Sequence, residues 1–170
     1  MFINPTREVT IQDMMYCREQ RVRHQRQLLE TYHVPLISFT LNIPGPIKSS
    51  NELTYAFQEG KKSIDALLSK QHYSVLDAIE LHNVTGDELI YAVDADANQL
   101  KDCSIQIEEL HPLGRLFDID IIQADGTKLS RPKYRTCLLC NKQVQDCARN
   151  RTHTIEELQS NILTLIKLHM

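Results

Sequence analysis

Apolar residues recur along this chain at two periods, and the changes of period divide it into elements. From Thr10 to Tyr32, Met14, Cys17, Arg21, Leu28 and Leu29 return at helical spacing, and Thr10 can cap the start. VPLISFTLNI, 34 to 43, is an apolar, β-rich run of strand length. PGPIKSSN breaks it, and a helix from about Glu52 to Lys70 is expected next. YSVLDAIELHNV and ELIYAVDA read as two strands around TGD at 85 to 87, a hairpin. Asn98 to Leu110 is spaced as a helix, although Ile105 and Ile107 leave room for a strand. HPLGRLFDIDII, 111 to 122, then sets two aspartates two positions apart in an apolar run. Side chains at i and i+2 of a strand share a face, about 6.6 Å apart. Leu116, Asp118 and Asp120 are therefore expected on one face, and Phe117, Ile119 and Ile121 on the other. The turn ADGT and a short return strand near Lys128 to Ser130 follow. From about Arg135 to the C-terminus the pattern predicts two helices separated near Asn150.

A hairpin, single strands and flanking helices do not alternate as βαβ units. The expected class is α+β, with a mixed or antiparallel sheet and flanking helices. At 170 residues, 42% of them apolar, one domain spanning 1–170 is expected, its C-terminal part (about 135–170) helical.

Net charge changes the picture only through its distribution. The total of −3 gives no reason to expect nucleic acid. Residues 77–125, however, hold twelve acids against Lys101 and Arg115, a net of −10. Residues 128–153 hold seven bases against Asp146, a net of +6. Such asymmetry suits a cation or metal on one face and an anionic partner on another, or simply two solvated faces. No apolar run approaches the roughly 20 residues a membrane crossing needs, and the N-terminus lacks a signal-peptide core. Five cysteines, an odd number in a chain of this length, fit a reducing cytoplasm better than a disulfide scaffold.

Four stretches could carry chemistry. Asp118 and Asp120 converge on one point, which favours a hard divalent ion such as Mg²⁺ held against phosphates; an acidic edge-strand face is the structural alternative. In PGPIKSS, Gly45 and two prolines shape a strand-to-helix loop whose helix start, with Lys48 beside it, would suit a phosphate. An ordinary turn explains that loop equally, and the P-loop spacing is absent. In LGR, Gly114 allows close backbone approach, and Arg115 supplies a bidentate phosphate donor or a partner for one aspartate. Cys137, Cys140, Cys147 and His153 form C-x2-C-x6-C-x5-H and could bind zinc. Yet Cys137, Cys140, Val144 and Cys147 also fall on one helical face, and buried packing there is the favoured reading over zinc. His111 could act as a base but more simply has a structural role. The first helix would expose Arg18, Arg21, Arg23 and Arg26 on a basic face.

Taken together, PLISFTLNIPGPIK (35–48), HPLGRLFDIDI (111–121), LSR (129–131), CLLC (137–140) and CAR with His153 closely resemble one family. It is the citrate lyase holo-acyl-carrier-protein synthase, or phosphoribosyl-dephospho-CoA transferase, family. Arg18, Arg21 and Gln25 agree more weakly, and the likeness runs from about residue 15 to about 160. The resemblance implies a nucleotidyltransferase-like site on the D-x-D strand and transfer from 2′-(5″-triphosphoribosyl)-3′-dephospho-CoA to a serine of the apo-acyl carrier protein of citrate lyase. Asp118, Asp120 and Arg115 would be catalytic, the aspartates holding Mg²⁺ on the triphosphate. Lys48, Ser49, Gly45, Gly114 and Arg131 would bind the substrate phosphates. Arg149 and Arg151 would dock an acidic carrier protein. Enzymes of the wider superfamily use a third carboxylate, for which Asp94, Glu108, Glu109 and Asp125 are the candidates. Two rivals remain: a non-catalytic, zinc-stabilised carrier-binding module, and the same transfer to a related decarboxylase carrier.

Overall fold

A computed structural model describes residues 7–140 and 142–170; residues 1–6, part of the stretch read for a signal-peptide core, lie outside them. Helix α1 (Ile11–Tyr32) begins where expected. The Thr10 hydroxyl accepts from the Asp13 amide, and the Asp13 carboxylate accepts from the Thr10 amide, so a capping box closes the first turn. Strand β1 (Leu36–Leu41) and helix α2 (Asn51–Lys70) follow, Ser50 capping the helix through the Leu53 amide. Strands β2 (Ser74–Asn83) and β3 (Gly86–Asp94) form the hairpin around Val84 and Thr85, and Gly86 turns the chain at φ +109°. Helix α3 (Ala97–Leu110), a short 3₁₀ turn at Gly114–Leu116 and strand β4 (Phe117–Ile122) come next. Helices α4 (Val144–Asn150) and α5 (Ile155–Lys167) complete the order.

The sheet order is β2-β3-β1-β4, and each neighbouring pair is antiparallel. Directly opposed residues share a face, so the register assigns side chains to faces. Ile37 and Phe39 of β1 stand between Tyr91 and Leu89 of β3 and Ile121 and Ile119 of β4. These residues pack with α2, α3 and α5 as the main core. Phe39 stacks on Phe57 at 5.0 Å and meets Phe117 edge-on at 5.5 Å, contacts worth about 0.5–1.5 kcal/mol each beyond their buried area. Gly60 makes room for them: a Cβ there would lie 2.3 Å from the Phe39 ring.

The opposite face lies under α1 and is divided. Leu36, Ile90, Ala92 and Ile122 pack with Leu28 in a small second core. Further along, Ser38 and Thr40 stand between Ile90 and Glu88 on one side and Asp120 and Asp118 on the other. The outer edge of β4 is occupied as well. The Ile119 amide donates to the Glu108 carboxylate (2.9 Å), the Phe117 carbonyl accepts from Arg135 (2.6 Å), and the Ile121 carbonyl accepts from the Leu129 amide (2.9 Å).

Three local expectations are corrected. Leu116 does not share the aspartate face; it is still in the 3₁₀ turn and is buried in the main core. The return strand near Lys128 shrinks to one bridge, Ile122 with Lys128. Cys137 and Cys140 are not helical, because α4 starts only at Val144 and the preceding segment is an irregular loop. The Ile105/Ile107 ambiguity resolves as helix: Asp96 caps α3 by accepting from the Asn98 and Gln99 amides.

Candidate active site

Asp118 and Asp120 project from β4 toward α1, as their spacing predicted. Lys128, carried back by the ADGT turn, reaches Asp120 at 2.6 Å. Among the described residues, none hydrogen-bonds the Asp118 carboxyl. The protein around it strips its water, and the Asp120 charge adds repulsion, so its pKa lies above the usual carboxylate range. Two adjacent carboxylates, one of them more basic than usual, make an oxygen-only donor set suited to a hard divalent cation.

Cationic groups surround them. A groove of about 730 Å³ between α1 and the β4 end is lined by Arg18, Arg21, Arg26, Asp120, Asp125 and Lys128. A smaller pocket of about 200 Å³ holds Arg18, Arg21, Lys48, Asn42 and Asp118. Arg18 and Arg21 border both, so the groove and the pocket share a wall beneath α1 and together form the candidate cleft. Arg21 is therefore not on an exposed basic face. Its Nε and terminal nitrogen clasp the buried Glu88 carboxylate at 2.9 and 2.7 Å, and the Cys17 thiol lies 2.6 Å from the same carboxylate. That clasp raises the Arg21 pKa further. Gln25 donates to Ser38 at 3.1 Å and fixes the next turn of α1 over the sheet. Lys48 donates to the Ile43 carbonyl; burial, then the Arg18 charge, lowers its pKa.

Several predicted site residues lie elsewhere. Gly45 faces α5: a Cβ would sit 2.5 Å from Gln159 and 2.6 Å from Ile155, and Gln159 donates to the Pro44 carbonyl. Gly114 lies against the end of α3, where a Cβ would come 2.4 Å from the Glu108 carbonyl. Both glycines serve close packing in this arrangement. Arg115 points away from the aspartates, bonds the Thr136 carbonyl and borders a second groove. Arg131 is held by Glu108 and Glu109 at 3.1 and 2.7 Å. Ser49 precedes the Ser50 cap, and the buried Glu52 carboxylate already occupies the first turn of α2. His111 accepts from the Leu113 amide and packs near Phe117 (4.9 Å), in the core layer. Among the third-carboxylate candidates, Glu108 is committed to Arg131 and Arg135, and only Asp125 borders the cleft. An acid on the aspartate face and close to the pair is Glu88, across Thr40 from Asp118. Its signal in the sequence was available: an acid at the first inward position of an otherwise apolar strand, DELIYAV.

Cys137, Cys140, Cys147 and His153 converge, with one ligand atom from each within 4.8 Å of all the others. His153 Nε2 and Cys147 Sγ both lie 3.4 Å from Cys140 Sγ. The imidazole contact draws the Cys140 pKa down, whereas burial pushes that of Cys147 up. Cys137, Cys147 and His153 line the second groove, about 790 Å³, together with Arg115, Arg135, Arg151, Leu158 and Ile162. Asn42 borders both this groove and the Asp118 pocket.

A family model described as apo-citrate lyase phosphoribosyl-dephospho-CoA transferase matches residues 9–169. The chain belongs to this transferase family. Two proteins with that same name, from Escherichia coli O8 (strain IAI1) and Escherichia coli (strain UTI89 / UPEC), are each 36% identical over 162 residues, which cover 93% of this chain and 88% of theirs. Against the phosphoribosyl-dephospho-CoA transferase family assignment, the two charge blocks take a clearer meaning. They neutralise each other in part: Lys128 pairs with Asp120, Arg131 with Glu108 and Glu109, and Arg135 with Glu108 at 2.5 Å. Lys133, Lys142, Arg149 and Arg151 make no ion pair among the described residues, so these four form the basic surface that is left. No described helix is long and apolar enough to cross a membrane.

Proposed function

We propose that this transferase moves phosphoribosyl-dephospho-CoA from 2′-(5″-triphosphoribosyl)-3′-dephospho-CoA to a serine of the citrate lyase apo-acyl carrier protein, releasing pyrophosphate. The observation that carries the reading is the aspartate pair within a cleft of Arg18, Arg21, Lys48 and Lys128. The serine oxygen attacks the α-phosphorus, and the bond to the bridging oxygen of the leaving pyrophosphate breaks. Negative charge grows on the non-bridging oxygens and the leaving group, so the chain's work is chiefly positioning and charge stabilisation. Arg18 offers its guanidinium fork to the phosphates, and Arg21, whose Nε edge is clasped by Glu88, offers its remaining terminal nitrogen. Lys48 and Lys128 add compact charges beside Asp118 and Asp120. Asp118 and Asp120 would hold Mg²⁺, which would supply positive charge against the departing pyrophosphate. One of these two carboxylates takes the serine proton as the oxygen attacks. The larger groove beyond Asn42, lined by both arginines and apolar side chains, suits the dephospho-CoA portion. Lys133, Lys142, Arg149 and Arg151 are the surface offered to an acidic carrier.

The decisive experiment is intact mass of the apo-acyl carrier protein of citrate lyase after incubation with this protein, Mg²⁺ and the triphosphoribosyl substrate, with Asp120→Asn alongside. A gain equal to phosphoribosyl-dephospho-CoA, lost in the variant, supports transfer through this cleft. No gain from folded protein and competent substrates would refute it.

A further inference from the structure

Outside the cleft, the densest chemistry lies in residues 135–153. This segment has no apolar core of its own: among its described residues only Cys137 and Cys147 are buried. Beyond Leu138 on the main core and the polar ties of Arg135 and Thr136, a metal would be an effective further fastening for it. Here the Cys140 and Cys147 sulfurs are 3.4 Å apart, not bonded, and the five cysteines are free. We propose that Cys137, Cys140, Cys147 and His153 form a structural zinc site that fastens this segment against the outer edge of β4.

The geometry fits a tetrahedron. With Zn–S bonds of about 2.3 Å, ligand atoms stand about 3.8 Å apart. The observed separations run from 3.4 Å for the closest pairs to at most 4.8 Å, so side-chain rotations close the shell. Three thiolates and one imidazole are a soft, complete set, which selects zinc over magnesium or calcium and leaves no position for substrate. The backbone is shaped around the C-x2-C pair. Thr136 bridges Gln143, the Cys137 amide donates to the Lys142 carbonyl (2.7 Å), and the Val144 amide donates to Arg135 (3.0 Å). The Leu139 amide points at Cys137 Sγ (3.4 Å), a donor that supports a thiolate. Cys147 comes from α4, and a left-handed Arg151 (φ 45°) turns the chain back so that His153 faces the sulfurs. Simple core packing accounts for Cys137 and Cys147 but not for an imidazole seated on the half-exposed Cys140. The site adjoins Arg135, whose side chain reaches the Phe117 carbonyl and Glu108, so the metal would hold the segment onto the strand that carries the aspartates.

The test uses untagged protein purified under reducing conditions without chelator. Elemental analysis should find one zinc per chain. After its removal, Co²⁺ should restore thiolate charge-transfer and tetrahedral d–d absorption. Cys103→Ser should keep full metal content, while Cys140→Ser and His153→Ala should lose the cobalt spectrum. Limited proteolysis of the chelated wild type should open residues 135–153 first and spare the sheet, which keeps the test meaningful should a cysteine variant fail to fold. Folded wild-type protein with neither zinc nor cobalt uptake would overturn the proposal, as would a cobalt spectrum unchanged in Cys140→Ser. Neither measurement needs carrier or substrate, so the result stands apart from the transfer reaction.

Discussion

Glu88→Gln isolates the contact that fixes α1 over the sheet. The Glu88 side chain is 4% exposed and the Arg21 side chain 26%. The carboxylate takes both arms of Arg21 and lies within hydrogen-bond distance of Cys17. Glutamine keeps the shape but replaces one acceptor with an NH₂ group that faces a guanidinium. Breaking a buried pair by removing one partner costs roughly 3–5 kcal/mol, and the partial exposure of Arg21 places this case near about 3. For a chain of this size, about 2–4 °C of Tm accompany each kcal/mol, so a loss of about 6–12 °C is expected. Circular dichroism melts give the shift, and urea titration with an unchanged slope would show that the unfolded state is unaffected. In a double-mutant cycle with Arg21→Met, the two losses should fall short of additivity by about 2 kcal/mol. A Glu88→Gln loss below about 1 kcal/mol would mean that water already screens the pair, and the account of how Arg21 is aimed would fail.

Asp118→Asn should abolish measurable transfer while raising Tm at neutral pH. A carboxyl whose pKa is raised in the folded state penalises folding above its unfolded pKa. The gain from Asn should therefore vanish as the pH falls below the ordinary carboxylate range, and a Tm difference independent of pH would contradict this reading. Gly60→Ala should cost about 2 kcal/mol in chemical denaturation, because the added methyl enters the Phe39 ring and outweighs the helix gain of about 1 kcal/mol. Charge reversal at Arg149 or Arg151 should raise the KM for carrier protein with kcat little changed, and an unchanged KM at low salt would remove that surface from consideration.

The helices, the hairpin and the two faces of β4 were legible in the sequence because each follows from a local period: 3.6 in α1 and 2 in FDIDII. Lys48 lines one pocket with Asp118, a neighbourhood that its loop position alone did not disclose. The rest depended on pairings that one sequence does not display. Arg115 follows Gly114, and nothing in the local sequence fixes the side it takes; from the 3₁₀ turn it reaches the Thr136 carbonyl. Arg131 was drawn off by Glu108 and Glu109, more than twenty residues earlier in the chain. Glu88 went unnoticed because its importance arises only when β1 is inserted between β3 and β4. The cysteines suggested a helix because i, i+3, i+7, i+10 fits one, whereas a hairpin and a later turn bring the same residues together with His153.

The outer side of β4 has a consequence for how this molecule can associate. A sheet grows by adding a strand to unpaired amides and carbonyls, and on β4 the Glu108 carboxylate, the Arg135 guanidinium and the Leu129 amide already stand in for that strand. Extension is thereby directed to the far edge, β2, whose ten residues include the exposed Val75 and Leu76. A partner that zips onto the sheet there would be three strands from Asp118 and Asp120, and the reacting strand would keep its register whatever binds at the other end.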